Sequence, residues 1–361
     1  MNLTHISEAW RIFKRSLRVK KQGFKQYSGN AKQICKQVIE DCWNGRYFQV
    51  SSGHYCCFYM RDFGWCVDSL LRLGYRERVL KTLDYVLSVY SSQRLTTTIT
   101  PNGRCVDMFD YSPDSLAFLI RSLRTARADK LIKKYKLFLI KEVERFEKIV
   151  IDRKTGLVKE GKKFSSMKDQ AIRRSSTYNN VMAAMLAREL TKIRIKHGMD
   201  YNSMKNKIKK ELWNGAYFYD DMSKKQYVAG DANVYPFWTE VFTDKKMLKS
   251  CIKAIQKEGL DKPFPLKYTK EDIGKRNFAR LFTPNYEGSS IWMHMGPLYI
   301  SLVKNINRKK AKEYIDSYTA LIEKHRNFLE IFNPDGTPFS SAFYYADEGM
   351  LWAADYLTII S

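Results

Sequence analysis

Several acidic residues of this 361-residue chain fall at the ends of apolar segments, where a carboxylate could do chemistry. Glu330 leads them, flanked by Phe328, Leu329, Ile331 and Phe332 and followed by the Asn333-Pro334-Asp335-Gly336 turn. An aromatic, serine-rich stretch from Phe339 to Tyr345 comes next. A carboxylate at the mouth of a helix–loop–helix, ringed by aromatics, suits a general base facing a sugar. A helix that merely ends in Glu is the competing reading.

Four further constellations share this character. In Tyr59-Met60-Arg61-Asp62-Phe63-Gly64-Trp65, Asp62 could accept sugar hydroxyls while Arg61 keeps it ionised, or the two could form a purely structural pair. In Asp110-Tyr111-Ser112-Pro113-Asp114, residues 112–114 fit an N-cap, a first-turn proline and an acid at the positive end of a helix. Asp114 is also a substrate-contact candidate. Asp169 stands in the loop Ser165-Ser166-Met167-Lys168-Asp169-Gln170, ahead of an apolar helix starting near Thr177. Partial desolvation there would raise its pKa and make it a proton donor. The fourth, Ala229 to Glu240, is an aromatic-walled turn. Trp65, Trp238, Trp292 and Tyr345 are the aromatic faces on which a sugar ring could stack, though each is also readable as core.

Helical periodicity supplies the elements that must position these groups. Apolar residues recur at three- and four-residue spacing over 5–20, 29–43, 59–73, 76–90, 112–126, 128–149, 177–197, 201–213, 245–258, 288–305, 308–331 and 346–360, with a short helix near 233–241. Strand signals are confined to 95–100, 216–228 and 339–345. There is no βαβ alternation, no glycine-rich phosphate loop and no Pro/Gly/Ser linker. The pattern predicts one all-α domain over residues 1–361, its helical hairpins closed into an (α/α)6 toroid with short β-hairpins in the loops. An open α-solenoid competes. Trp43-Asn44-Gly45-Arg46-Tyr47-Phe48 returns as Trp213-Asn214-Gly215-Ala216-Tyr217-Phe218, a repeated helix exit, but no tight repeat period runs through the chain.

Composition narrows the function classes. The net charge of +25 arises from 63 Lys+Arg against 38 Asp+Glu, yet the basic residues are spread as doublets such as Lys133-Lys134 and Lys309-Lys310. That spread argues for solvated helix faces rather than a nucleic-acid stripe. Seven cysteines without a C-x-x-C pair suggest reduced, buried thiols and a cytoplasmic setting. No signal-peptide pattern opens the chain, and no apolar run is long enough to span a membrane.

The order of motifs resembles that of (α/α)6-toroid glycoside hydrolases. Tyr59-Met60-Arg61-Asp62 is similar to the W-x-R-D entrance of glucoamylases and of the amylo-α-1,6-glucosidase domain of debranching enzymes. Asp110 to Ser115 and Tyr178 to Ala183 resemble two further stretches of that group. Asn285-Tyr286-Glu287-Gly288-Ser289-Ser290-Ile291-Trp292 is similar to the N-Y-W-R-G-P-I-W of processing α-glucosidases and trehalases. Glu330 to Gly336 resembles their E-x-Y-N-P-x-T-G, whose Glu is the general base.

The resemblance spans roughly 55–360 and implies an inverting glycosidase acting on an α-linked, glucosyl-type oligosaccharide or small glycoside, with no cofactor and no metal. It implies Glu330 as base, Asp169 as acid by position, and Asp62 with Arg61 at the sugar subsite; Trp65, Asp114, Trp238, Trp292 and Tyr345 complete the candidate pocket. Glu287, Gly288 and Ser290 replace the family's Trp, Arg and Pro, and Asp169 lacks its Gly-x-Asp context. Two alternatives remain open. One is a sugar isomerase or epimerase on the same toroid, using His54 and His294. The other is a basic helical protein binding nucleic acid or an anionic glycan.

Overall fold

The computed structural model describes residues 3–107, 109–169, 171–273 and 283–361. Gln170, the neighbour of Asp169 in its motif, lies outside them. In chain order the helices are α1 (Leu3–Gln22), α2 (Ala31–Asp41), α3 (Met60–Arg72), α4 (Arg76–Ser92), α5 (Pro113–Thr125), α6 (Asp129–Lys134) and α7 (Lys136–Val150). There follow α8 (Thr177–Lys192), α9 (Tyr201–Leu212), α10 (Gly230–Trp238), α11 (Lys245–Lys257), α12 (Met295–Lys304), α13 (Arg308–His325) and α14 (Ala353–Ile360).

Packing partners define the architecture. α3 packs on α5, α5 on α8, α8 on α10, α10 on α12, α12 on α14, and α14 returns to α3. Six helices therefore close a ring. Each carries an outer helix: α4 lies on α3, α7 on α5, α9 on α8, α11 on α10, α13 on α12 and α2 on α14. The sequence separates the two layers. Inner helices are apolar on nearly every side, as α5 and α8 show, because they touch neighbours all round. Outer helices such as α11 bury one stripe, Met247, Leu248, Cys251, Ile252 and Ile255, and face lysines to solvent. The expected (α/α)6 toroid is the observed fold.

Most expected helices appear within a few residues, and the differences have physical causes. The segment 128–149 is broken at Tyr135, which caps both α6 and α7. The pattern over 308–331 stops as a helix at His325, where Arg326 turns into the left-handed region (φ 48°). Glu330 therefore precedes an extended pair rather than ending a helix. Of the expected strands only the first survives as a ladder: β1 (Phe58–Tyr59), β2 (Thr98–Ile99) and β3 (Cys105–Val106) form an antiparallel sheet. Residues 216–228 and 339–345 contribute only the isolated bridges Trp213–Phe218 and Ser340–Tyr345.

The repeated exit motif is structural. Asn44 Oδ1 accepts the N–H groups of Arg46 and Tyr47, Asn214 Oδ1 accepts those of Ala216 and Tyr217, and Gly45 and Gly215 adopt φ 88° and 96°. Each glycine takes a backbone conformation that a side chain would strain.

Candidate active site

The N-terminal ends of all six inner helices carry the polar residues of one constellation. Arg61 and Asp62 open α3, Asp114 opens α5, Tyr178 opens α8, Asp231 opens α10, His294 precedes α12 and Trp352 precedes α14. Positive helix ends favour carboxylates, which is one reason acids collect there.

Glu330 reaches this end from the strand pair β4 (Ile291–Trp292) and β5 (Ile331–Phe332), in which Trp292 faces Ile331. Its backbone is fixed on both sides: Met293 N–H donates to Glu330 O at 3.1 Å, and Glu330 N–H donates to Asp347 O at 3.0 Å. The side chain is buried. Tyr286 Oη donates to Oε1 at 2.6 Å, while Tyr344 Oη and the Asp347 N–H (2.9 Å) donate to Oε2. Burial pushes the carboxyl up, the nearby Asp347 carboxylate adds to the rise, and the two tyrosines oppose it; the result is about 7.

Behind Glu330 lies a polar layer that periodicity does not reveal. Tyr344 Oη also meets His54 Nε2 at 3.0 Å and Tyr55 Oη at 3.2 Å. Asp347 accepts the backbone N–H groups of His54 (2.7 Å) and Tyr55 (2.9 Å) and the hydroxyl of Ser51 (2.5 Å). Burial holds the His54 imidazole down at about 4, so it is neutral near pH 7.

Arg61 and Asp62 do not pair. Arg61 Nε donates to Asp114 Oδ2 at 2.5 Å, and Tyr178 Oη donates to the same oxygen at 2.8 Å. Adjacent helix residues point about 100° apart, so the guanidinium reaches across the ring instead. Asp114 is thus a buried counter-ion, and Ser112 donates to Asp107 rather than capping α5. Asp62 accepts Trp352 Nε1–H at 3.0 Å, and burial, only partly offset by Arg61, raises its carboxyl to about 7.

Asp169 keeps part of its surface open and lines a cleft with Phe164, Lys168, Arg173 and Asn179. Its Oδ1 accepts the Ser166 N–H at 2.9 Å, and its own N–H donates to Glu287 Oε1 at 2.6 Å. Burial moves its carboxyl above the ordinary range, against the pull of Arg61. The loop is anchored on either side of it. Lys168 Nζ meets Asp220 at 2.9 Å and Asp231 at 3.2 Å, and Arg173 Nη1 meets the same two carboxylates at 3.4 and 3.0 Å.

The aromatic candidates divide. Trp65 stacks on His294 (centroids 4.4 Å apart), and Trp292 lies 4.7 Å from Tyr286 and 5.3 Å from His294. Trp238 lies at the other end of α10, under Arg121 (4.6 Å) and beside Phe118, where Arg121 also pairs with Asp68 two turns along α3 from Arg61. Tyr345 faces outward and stacks on Phe24 at 5.2 Å; it is Tyr344 that turns inward to Glu330. Among the described residues no group of three or more His, Cys, Asp or Glu side chains is arranged to hold a metal ion, and no helix is long and apolar enough to cross a membrane.

No sequence family and no curated protein matches the chain. Solved structures do match in shape. The rhamnosidase from Klebsiella oxytoca with rhamnose bound aligns at TM-score 0.63 and 12% identity, over 91% of this chain and 62% of that one. The GH63 mannosylglycerate hydrolase from Thermus thermophilus, in complex with Tris, aligns at TM-score 0.62 and 10% identity, over 92% of this chain and all of that one. This chain shares their toroid. A GH78 family rhamnosidase of Bacillus sp. GL1 aligns at TM-score 0.61 and 14% identity, over 94% of this chain and 35% of that one. The chain thus spans less than two thirds of either rhamnosidase, and the identities carry the likeness to the fold.

Proposed function

We propose that the protein is a glycoside hydrolase acting on an α-linked pyranoside by an inverting, two-carboxylate mechanism. The observation that carries this reading is the Glu330 carboxyl: buried, held by two tyrosine hydroxyls and tuned to about 7, at the end of a toroid where the inner helices present their acids. A general base works best with a pKa near the working pH. In the proposed mechanism Glu330 takes a proton from water as that water attacks the anomeric carbon. Asp169 gives its proton to the leaving oxygen, and its raised carboxyl suits a group that must start protonated. Such pairs stand about 6.5–9.5 Å apart, leaving room for the water. Asp62, Arg61, Trp65, Trp292 and Trp352 form the sugar-binding wall, whereas Trp238 and Tyr345 are left out of it.

The raised carboxyl of Asp62 favours a second assignment, in which Asp62 rather than Asp169 donates the proton. The solved neighbours bear the names rhamnosidase, mannosylglycerate hydrolase and glycosidase in complex with glucose, so gluco-, manno- and rhamno-configured substrates belong in one screen. The test is hydrolysis of aryl and disaccharide α-glycosides by the purified protein, with the anomer released followed by NMR and Glu330→Gln as control. Release of the inverted anomer, abolished in Glu330→Gln, is expected. Activity surviving that substitution would remove the proposal. Comparing Asp169→Asn and Asp62→Asn on glycosides with good and poor leaving groups separates the two acids, because a variant lacking the acid keeps its activity only where the leaving oxygen needs no proton.

A further inference from the structure

The buried polar atoms without a hydrogen-bond partner among the described residues include Trp65 Nε1, Tyr235 Oη and His294 Nδ1. These three belong to one aromatic cluster. Trp65 stacks on His294, Tyr235 lies 6.3 Å from Trp65, and Trp292 and Trp352 meet the imidazole at 5.3 and 5.1 Å. Leaving buried polar groups unpaired is costly, so these three together point to an occupant with hydroxyls.

The tautomer of His294 follows from its neighbours. Tyr268 Oη lies 3.1 Å from the Met167 carbonyl, which has no hydrogen to give, so the phenol must donate there. The same oxygen lies 3.2 Å from His294 Nε2 and can only accept, so the ring carries its hydrogen on Nε2. Burial and the Arg61 charge keep the imidazole neutral. Nδ1 is then a bare lone pair, a group that accepts and cannot donate.

We propose that His294 Nδ1 is a specificity determinant that accepts a hydrogen bond from one hydroxyl of the bound pyranose, with Trp65 Nε1–H and Tyr235 Oη contacting neighbouring oxygens. The inference rests on the glycosidase reading and adds to it a requirement that this hydroxyl be a donor. A deoxy sugar lacks the group. A deoxyfluoro sugar offers an acceptor in its place, which Nδ1 cannot use.

Two measurements test it. The first compares kcat/KM of wild type, His294→Phe and His294→Asn on the glycoside that is hydrolysed and on its monodeoxy and monodeoxyfluoro analogues. At one ring position both analogues should lose about 10- to 100-fold with wild type, the worth of one buried hydrogen bond. His294→Phe should lose as much on the parent glycoside and nothing further on those analogues, and His294→Asn, which retains an acceptor, should recover part of the loss. The second follows the His294 Nδ1 resonance by 15N NMR in Glu330→Gln as methyl α-glucoside, α-mannoside and α-rhamnoside are added, and needs neither turnover nor a His294 variant. A shift on saturation supports the proposal even if no glycoside is ever hydrolysed, in which case the hydrolase reading alone falls. Hydrolysis by wild type with Nδ1 silent to every sugar, or analogues cleaved alike by wild type and His294→Phe, would mean that only an ordered water fills the site, and would overturn the proposal while leaving the hydrolase.

Discussion

Tyr286 donates its hydroxyl to Glu330 at 2.6 Å, and the next residue, Glu287, accepts the backbone N–H of Asp169 at 2.6 Å. One dipeptide therefore touches both carboxylates of the proposed mechanism. A short turn carries it into Ile291-Trp292, whose pairing with Ile331 also fixes Glu330.

Removing the Tyr286 hydroxyl should move the base without displacing it. That bond lowers the Glu330 carboxyl, so Tyr286→Phe raises it. If Glu330 is the base, the acidic limb of kcat/KM is expected near pH 7 in wild type and at higher pH in Tyr286→Phe. Glu330→Gln should instead lose activity at every pH, by about 10²–10⁴-fold for loss of a general base. A limb unmoved in Tyr286→Phe would show that another group controls it.

Asp355 offers a stability test away from the chemistry. It lies on α14, accepts the Ser69 hydroxyl at 2.6 Å, and burial raises its carboxyl to about 7. Here the folded pKa exceeds the unfolded one, so the folded state holds a proton that the unfolded state releases. The group's penalty is absent below about pH 4, grows as pH rises, and is complete above about pH 7. Asp355→Asn removes it. The variant should gain stability relative to wild type on going from pH 5 to pH 8, on the order of a few kcal/mol at ~1.4 kcal/mol per pKa unit. Urea titrations at the two pH values measure this.

Asp114→Asn should be costly for a different reason. It leaves the Arg61 guanidinium buried without its counter-ion, a loss of about 3–5 kcal/mol where one member of a buried pair is removed. A urea midpoint within experimental error of wild type would mean that Arg61 finds solvent or another acid.

Gly64→Ala probes the close approach of α3 and α5. A methyl group there would stand 2.5 Å from the Phe118 ring, inside any tolerated contact. The helices must separate, at about 1–3 kcal/mol for overpacking. Differential scanning calorimetry should show a lower Tm, and any sugar affinity of the proposed wall should fall with it, because Asp62 and Trp65 lie within two residues of this glycine.

Particular residues show where sequence suffices. The inner helices were legible because a helix buried all round has an apolar pattern with abrupt polar ends, and those ends hold Asp62, Asp114 and Tyr178. Periodicity failed beyond His325, since Phe328, Leu329, Ile331 and Phe332 are apolar for packing rather than for a helix. No glycine marks that stop; Arg326 makes the turn. Adjacency misled at Arg61 and Asp62, whose partners lie 53 and 290 positions away. Tyr55, Tyr286, Tyr344 and Asp347 come from loops, where spacing says nothing about which way a side chain turns. His54 and His294 are the histidine pair of the isomerase alternative; in the structure His54 meets Tyr344 and His294 stacks on Trp65.

The contact of α14 with α3 joins residues nearly 300 positions apart, and it has a kinetic consequence. Trp352, at the start of α14, reaches Asp62 only once that seam is shut. Recovery of the proposed sugar-binding wall after dilution from denaturant should therefore lag behind the return of helical signal, because local hairpins form before distant ends meet. An unclosed intermediate would possess most of its secondary structure and none of its recognition.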